Sequence, residues 1–224
     1  MGIPSYADRM AGVSGRAVRE ILKLTQQPDI ISFGGGLPSA DSFPMESLKE
    51  ILHDLTDNLS QELLQYGQTE GYDPLRQEIV KLMATKGVNV AMEEVLITSG
   101  SQQGLDLIAK SFINPGDKIV VESPTYLAAL QTFRMYGAEF IEAPVDADGV
   151  MADELDKILA SEENVKLIYM IPSFQNPSGR TVSAERRKAI MEVVQKYDVI
   201  LIEDAPYEDL KYTDDVYPCM KSMD

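Results

Sequence analysis

Four clusters of chemistry-bearing residues stand at corresponding points of the chain, each just after a short apolar run. Ser99-Gly100-Ser101-Gln102-Gln103-Gly104 follows residues 95–98 and leads into a helical pattern. Small residues let a backbone approach a ligand. The first turn of a helix adds N–H groups without intrahelical acceptors and the positive end of the dipole, which suits a phosphate. Alone, this run reads more readily as a plain strand–turn–helix joint with a serine N-cap. Ser123-Pro124-Thr125-Tyr126 brings an aromatic ring after a second run, and Ser173-Phe174-Gln175-Asn176-Pro177-Ser178-Gly179 brings amides after a third, with a Pro/Gly turn as the alternative. Glu203 and Asp204 close the last run ahead of Ala205, Pro206 and Tyr207. A carboxylate in that position is costly unless it is solvated or faces a cation.

These clusters must be held by the elements around them. Residues 95–98, 118–122, 139–143, 166–171 and 199–202 are rich in β-branched residues and alternate with helical patterns. Leu105, Ile108, Ala109 and Phe112 share one helical face, residues 127–136 end at Gly137, and Leu155, Ile158 and Leu159 precede Ala189, Ile190, Val193 and Val194. Upstream, 46–59 and 75–86 carry apolar residues at helical spacing, the second closing at Gly87. Strands separated by amphipathic helices predict right-handed crossovers and a mainly parallel sheet. Consecutive apolar residues such as Ile200-Leu201-Ile202 suit strands covered on both faces. In such sheets ligands bind at the carboxyl ends of the strands, where all four clusters fall. A phosphate cradle, a flat ring, an amide, a carboxylate and a phenol at one sheet end match the chemical parts of pyridoxal phosphate.

Composition narrows the alternatives. The 224 residues carry a net charge of −16, which disfavours binding to a phosphate backbone, so no nucleic-acid partner is expected. The tightest basic run, Arg186, Arg187 and Lys188, reads as a solvated helix face offset by Glu185. No apolar stretch reaches the ~20 residues of a membrane-spanning helix, and Met1-Gly2-Ile3-Pro4 does not open a secretory signal, so no membrane association and a cytoplasmic location are expected. Cys219 and His53 are single, which excludes an internal disulfide and makes a Cys/His metal site or a Ser-His-Asp triad very hard to build. His53 lies on the polar side of Leu48, Ile51, Leu52, Leu55 and Leu59 and is expected to be exposed.

The runs SFGGGLPSADSFP (32–44), QYGQTEGYDPLR (65–76), LITSGSQQGLDL (96–107), ESPTY (122–126), PSFQNPSG (172–179) and EDAPYEDL (203–210) occur in order. Together they resemble the fold-type I pyridoxal-phosphate-dependent aminotransferases of class I/II, most of all the branch of 2-aminoadipate and kynurenine aminotransferases. Aminotransferase-like domains of some bacterial regulators are also similar. The resemblance implies a three-layer αβα large domain with a mainly parallel sheet, truncated before its last strands. Residues 1–45 would form an N-terminal arm that closes on substrate, and 46–224 a partial cofactor-binding large domain. It also implies amino-acid and 2-oxo-acid substrates, with 2-aminoadipate, aromatic or branched donors.

Residue by residue, the resemblance gives Gly100, Ser101 and Gln102 to the phosphate and Tyr126 to the face of the ring. Asn176 and Tyr207 would bond the phenolic oxygen, with Asn176 also facing substrate, and Asp204 would pair with the protonated pyridine nitrogen. Tyr66 would reach the phosphate of a neighbouring subunit, implying a homodimer with composite sites. Gly35 and Gly36 would line the substrate pocket, and Arg19, in VREILKL (18–24), would meet a distal carboxylate; a surface arginine is the equal alternative. Two unit charges ~4 Å apart at an effective dielectric of ~20 attract by about 4 kcal/mol, or about three pKa units in favour of a protonated ring nitrogen before desolvation.

In the family a Ser-x-x-Lys run on the next strand carries the lysine that bonds the cofactor. This sequence ends at Lys221-Ser222-Met223-Asp224, and Lys110 and Lys118 fall in a helix and at a strand start, so the chain is expected to lack that lysine and to be inactive alone. The first strand is expected to have no ladder partner and the fifth to expose an apolar edge. Two alternatives share the fold: a carbon–sulfur lyase, and the pyridoxal-phosphate-binding domain of a transcription regulator.

Overall fold

The computed structural model describes residues 5–10, 29–31 and 36–224. They divide into an upstream unit within 12–69 and a larger unit of 70–224 joined by the described residues before 11. The upstream unit contains helix α1 (Met45–Asn58) and the single turn α2 (Ser60–Leu63). Helix α1 is amphipathic, but Leu48, Ile51 and Leu52 stay about half exposed, and His53 is exposed as expected.

The larger unit carries the predicted strand–helix alternation. Helices α3 (Asp73–Thr85) and α4 (Ser101–Phe112) precede β1 (Lys118–Glu122), α5 (Leu127–Met135) and β2 (Glu139–Ala143). A short antiparallel hairpin, β3 (Val145–Asp146) with β4 (Gly149–Val150), is followed by α6 (Ala152–Ser161) and β5 (Val165–Met170), then α7 (Ala184–Val194) and β6 (Ile200–Glu203). The four long strands form one parallel sheet in the order β2-β1-β5-β6, with Val121 opposite Tyr169 and Tyr169 opposite Ile202.

Strand alternation sends side chains to two dry layers. Ile119, Val121, Leu167, Tyr169, Ile171 and Ile202 pack against Leu105 and Ala109 of α4 and Ala129 and Phe133 of α5. Val120, Ile168 and Met170 pack on the opposite face against Leu155 and Leu159 of α6 and Ile190, Met191 and Val194 of α7. The result is the expected three-layer αβα fold with a parallel central sheet. Burial on both faces is why the inner strands β1 and β5 read as mainly apolar runs, while the border strand β2 keeps Glu139 and Glu142 exposed. The hairpin escaped the sequence reading, although Asp148-Gly149 is a hairpin-turn signal and Gly149 takes φ +87°.

Two expectations need qualification. Residues 95–98 form no ladder among the described residues. Ile97 donates one backbone hydrogen bond to Glu70 O at 2.9 Å, and the buried Arg76 clamps the segment through Nε to Val95 O (3.0 Å) and Nη2 to Met92 O (2.6 Å). The run expected to be the first strand is therefore not a strand; its backbone groups bond Glu70 and Arg76 in place of a ladder. At the other border β6 has no neighbour beyond β5 among the described residues, and Ile200 there is 40% exposed.

The reading of 186–188 as a solvated face is wrong for two of its three residues. Arg187 is fully buried, donating from Nε to Val182 O (2.9 Å), from Nη2 to Pro172 O and Ser173 Oγ (both 2.8 Å), and from Nη1 to Pro218 O (3.1 Å). Arg186 pairs with Asp146 at 2.8 Å and caps Val150 O, so Lys188 alone behaves as expected. Arg187 stands three, four and seven residues before Ile190, Met191 and Val194. It therefore lies on the apolar stripe of α7, a spacing visible in the sequence.

Candidate active site

All four parallel strands end on the same side, and the loops after β1, β5 and β6 carry Tyr126, Asn176, Asp204 and Tyr207. Helix α4 returns to the start of β1 through the turn closed by Asp117 N–H to Asn114 O, so its first turn also lies on that side. Gly100 is its N-cap, in place of a serine cap, at φ +79° and ψ 166°, a backbone state that side-chain-bearing residues rarely adopt. Gly100 N–H donates to Thr98 O, while Ser101 and Gln102 contribute first-turn N–H groups that have no intrahelical acceptor. The Gln102 side chain is committed to Thr132 Oγ1 on α5, and Gln103 Oε1 turns back to accept from Ser99 N–H.

The loop after β1 ends at Tyr126, which caps α5 and packs on the α4/α5 face of the sheet. The loop after β5 is built around Gln175, a buried residue. Its Nε2 donates to Pro124 O at 2.7 Å, tying the two loops together, and its Oε1 accepts from Ser178 N–H (2.8 Å) and Ser178 Oγ–H (2.6 Å). This frame holds Asn176, whose own amide makes no hydrogen bond among the described residues. After β6, Asp204 N–H continues the ladder to Met170 O at 2.9 Å. Alternation puts Asp204 on the face of Ile202, and its Oδ2 accepts the Tyr169 hydroxyl at 2.7 Å. Tyr207 follows half-buried.

Adjacent carboxylates thus have different fates. Glu203 faces α7, accepting from Met220 N–H (2.9 Å), Lys221 N–H (3.2 Å) and the Cys219 thiol (3.0 Å), with Arg187 Nη1 at 4.0 Å. Burial and the Glu203 charge push the Cys219 thiol up to about 11, which leaves it unreactive near neutrality. A third carboxyl, Glu122, ends β1 at 4% exposure and accepts from Ile171 N–H at 2.9 Å. Burial pushes it up to about 7 against the opposing hydrogen bonds from Ile171 and Gln175.

The structure therefore brings together Gly100, Ser101, Gln102, Tyr126, Asn176, Asp204 and Tyr207 at one end of one sheet. Tyr66 and Gly36 belong to the upstream unit, where Tyr66 is 98% exposed and a methyl added at Gly36 would meet nothing within 4 Å. Arg19 and Gly35 lie outside the described residues. Lys110 sits in the last turn of α4, and Lys118 opens β1 at its amino end, paired with Glu162 at 2.7 Å, away from the site. Sequence reasoning missed Tyr169, hidden in the apolar run of β5; only the register of β5 with β6 shows that it meets Asp204.

Comparison with known proteins shows the family of the chain. The model of the aminotransferase class I and II family matches residues 28–222. An aromatic-amino-acid aminotransferase of Thermococcus litoralis is 42% identical across 98% of this chain and 54% of its own length. A 2-aminoadipate transaminase of Thermus thermophilus is 38% identical across 89% of this chain and 49% of its own. The crystal structure of a Pyrococcus horikoshii kynurenine aminotransferase, solved with PMP, superposes with a TM-score of 0.90 at 40% identity, over 98% of this chain and 55% of that one. The chain spans about half the length of the relatives it matches. It belongs to the class I and II aminotransferase family.

Proposed function

We propose that this chain supplies the pyridoxal-phosphate-binding part of an aminotransferase that exchanges an amino group between an L-amino acid and 2-oxoglutarate. One observation carries the reading. On the α4/α5 side of the sheet end, the second oxygen of Asp204, the Asn176 amide and the Tyr207 hydroxyl make no hydrogen bond among the described residues, while Asp204 Oδ2 and the Gln175 amide beside them are bonded. Thr125 Oγ1, next to Tyr126, is likewise buried without a partner. A carboxylate, an amide, a phenol and a helix start form a donor and acceptor set that fits a phosphorylated hydroxypyridine.

When bound, pyridoxal phosphate supplies an electron sink for the pair left as the substrate Cα–H bond breaks. Asp204 would hold a proton on the ring nitrogen by opposite charge, and Tyr126 would cover one ring face. Asn176 and Tyr207 would donate to the phenolic oxygen, orienting the ring. Gly100, Ser101 and Gln102 would hold the phosphate with N–H groups and the Ser101 hydroxyl. We assign none of the lysines of this chain to the covalent step. Tyr66, fully exposed, is proposed to reach across a homodimer to the neighbouring phosphate. Arg19, Gly35 and Gly36 are proposed to face the substrate. The names of the relatives favour aromatic or 2-aminoadipate donors.

The test is Asp204→Asn in the cofactor-loaded protein that carries this chain. Losing about 4 kcal/mol of charge stabilisation predicts a fall of about a thousandfold in kcat/KM for amino transfer from aromatic or aminoadipate donors to 2-oxoglutarate. Turnover within tenfold of the parent would refute the assignment. Release of pyruvate and ammonia from cystathionine without an added oxo acid would identify a lyase instead.

A further inference from the structure

Tyr169 is the one side chain of β5 that places a polar atom at the site while its ring is fully enclosed. It stands between Val121 of β1 and Ile202 of β6. Phe133 meets its ring edge-on, with centroids 5.7 Å apart and planes at 73°. A phenylalanine would fill the same space without bringing a hydroxyl into a dry layer, where an unbonded hydroxyl is costly. The hydroxyl finds its acceptor in Asp204 Oδ2 at 2.7 Å. Burial and the neighbouring Asp204 charge raise the Tyr169 pKa, so the group remains a donor throughout the working range of the protein.

The geometry has a directional consequence. A carboxylate at the end of a strand can rotate about its side-chain bonds. One oxygen of Asp204 is fixed by a donor on a packed ring, which sets the carboxylate plane and leaves Oδ1 as the oxygen available to a ligand. We propose that Tyr169 is a positioning residue: it fixes the Asp204 carboxylate so that Oδ1 faces the ring nitrogen of the bound cofactor. The inference rests on the functional reading above, because it needs a protonated heteroaromatic nitrogen as the partner of Asp204. Tyr169 itself touches no reacting atom.

Pyridoxamine phosphate is the probe, since it engages the same groups without a covalent bond to the protein. Its affinity is measured by calorimetry for the parent protein, Tyr169→Phe, Asp204→Asn and the double variant. Tyr169→Phe is expected to bind about tenfold more weakly, the scale of one hydrogen bond to a charged group. Asp204→Asn is expected to lose more, and adding Tyr169→Phe to it should change affinity less than twofold. Affinity of Tyr169→Phe within twofold of the parent overturns the proposal. So does an equal loss in both backgrounds, which would mark Tyr169 as packing alone. A second readout needs no variant: the ring-carbon NMR signal of the Tyr169 phenol in the parent should shift when pyridoxamine phosphate is added, and an unmoved signal counts against the proposal. A parent protein that does not bind pyridoxamine phosphate removes the functional reading and this inference with it. Binding with Tyr169→Phe unaffected removes the inference alone.

Discussion

Replacing Arg187 with methionine tests whether one buried guanidinium joins the end of β5, the start of α7 and the C-terminal segment. Methionine matches the length of the arginine stem and suits the apolar stripe of α7, so the packing loss is small. The polar loss is large. Pro172 O, Val182 O, Pro218 O and Ser173 Oγ lose donors at 2.8 to 3.1 Å, and Ser173 is only 1% exposed. Pro172 O keeps the Val182 N–H at 2.9 Å, but each buried acceptor left unsatisfied costs about 1–3 kcal/mol. Glu203 loses less, because the Met220 and Lys221 N–H groups still reach it. Relief of the desolvated charge offsets several kcal/mol, so the net destabilisation is expected near 3 kcal/mol. For a protein of this size that is a fall of about 6–12 °C in Tm, or an equivalent shift of the urea midpoint followed by circular dichroism. Arg187→Lys keeps the charge but offers a point donor that cannot serve three carbonyls in different directions, so it should recover less than half of the loss. Methionine within 0.5 kcal/mol of the parent, or lysine restoring full stability, would refute this account of the junction.

Two further outcomes follow from the same packing. Glu122 titrates near 7 in the folded chain against an ordinary 4.5, so folding binds its proton more tightly. That stabilisation is complete below about pH 4.5 and gone above about pH 7, an amplitude of about 3 kcal/mol. Glu122→Gln should therefore compare less favourably with the parent at pH 5 than at pH 8 in urea unfolding, and a pH-independent difference would contradict it. Gly71 adopts φ +113°, and a Cβ there would lie 2.5 Å from Ile97 Cγ1. Gly71→Ala is expected to cost at least about 2 kcal/mol by strain and displacement of 95–98, measured by thermal unfolding; a change under 0.5 kcal/mol would mean the close approach is not essential.

The parallel sheet was legible because its inner strands β1 and β5 are mostly buried and apolar, and because helical patterns separate each strand from the next. The site was legible because the parallel rule collects every loop after a strand on one side, so Tyr126, Asn176 and Asp204 could be grouped without any register. What stayed hidden depends on pairing across the sheet. Tyr169 reads as one more apolar residue until β5 and β6 are set side by side. Arg187 was masked by the charges of its neighbours, although its spacing to Ile190 and Val194 marks it as inward. Residues 95–98 have the composition of a strand, but composition does not provide a partner; Arg76 and Glu70 take up their polar groups instead.

The pleat at the end of β6 has one more consequence. Glu203 and Asp204 are neighbours of like chemistry, yet alternation sends one to Arg187 and the other to Tyr169. Deleting or inserting a single residue in that stretch would exchange their destinations, putting the longer side chain at the site and the shorter one under α7. Over generations such a segment can drift in which aliphatic residues it contains but not in how many. Length, more than composition, is what this strand must inherit.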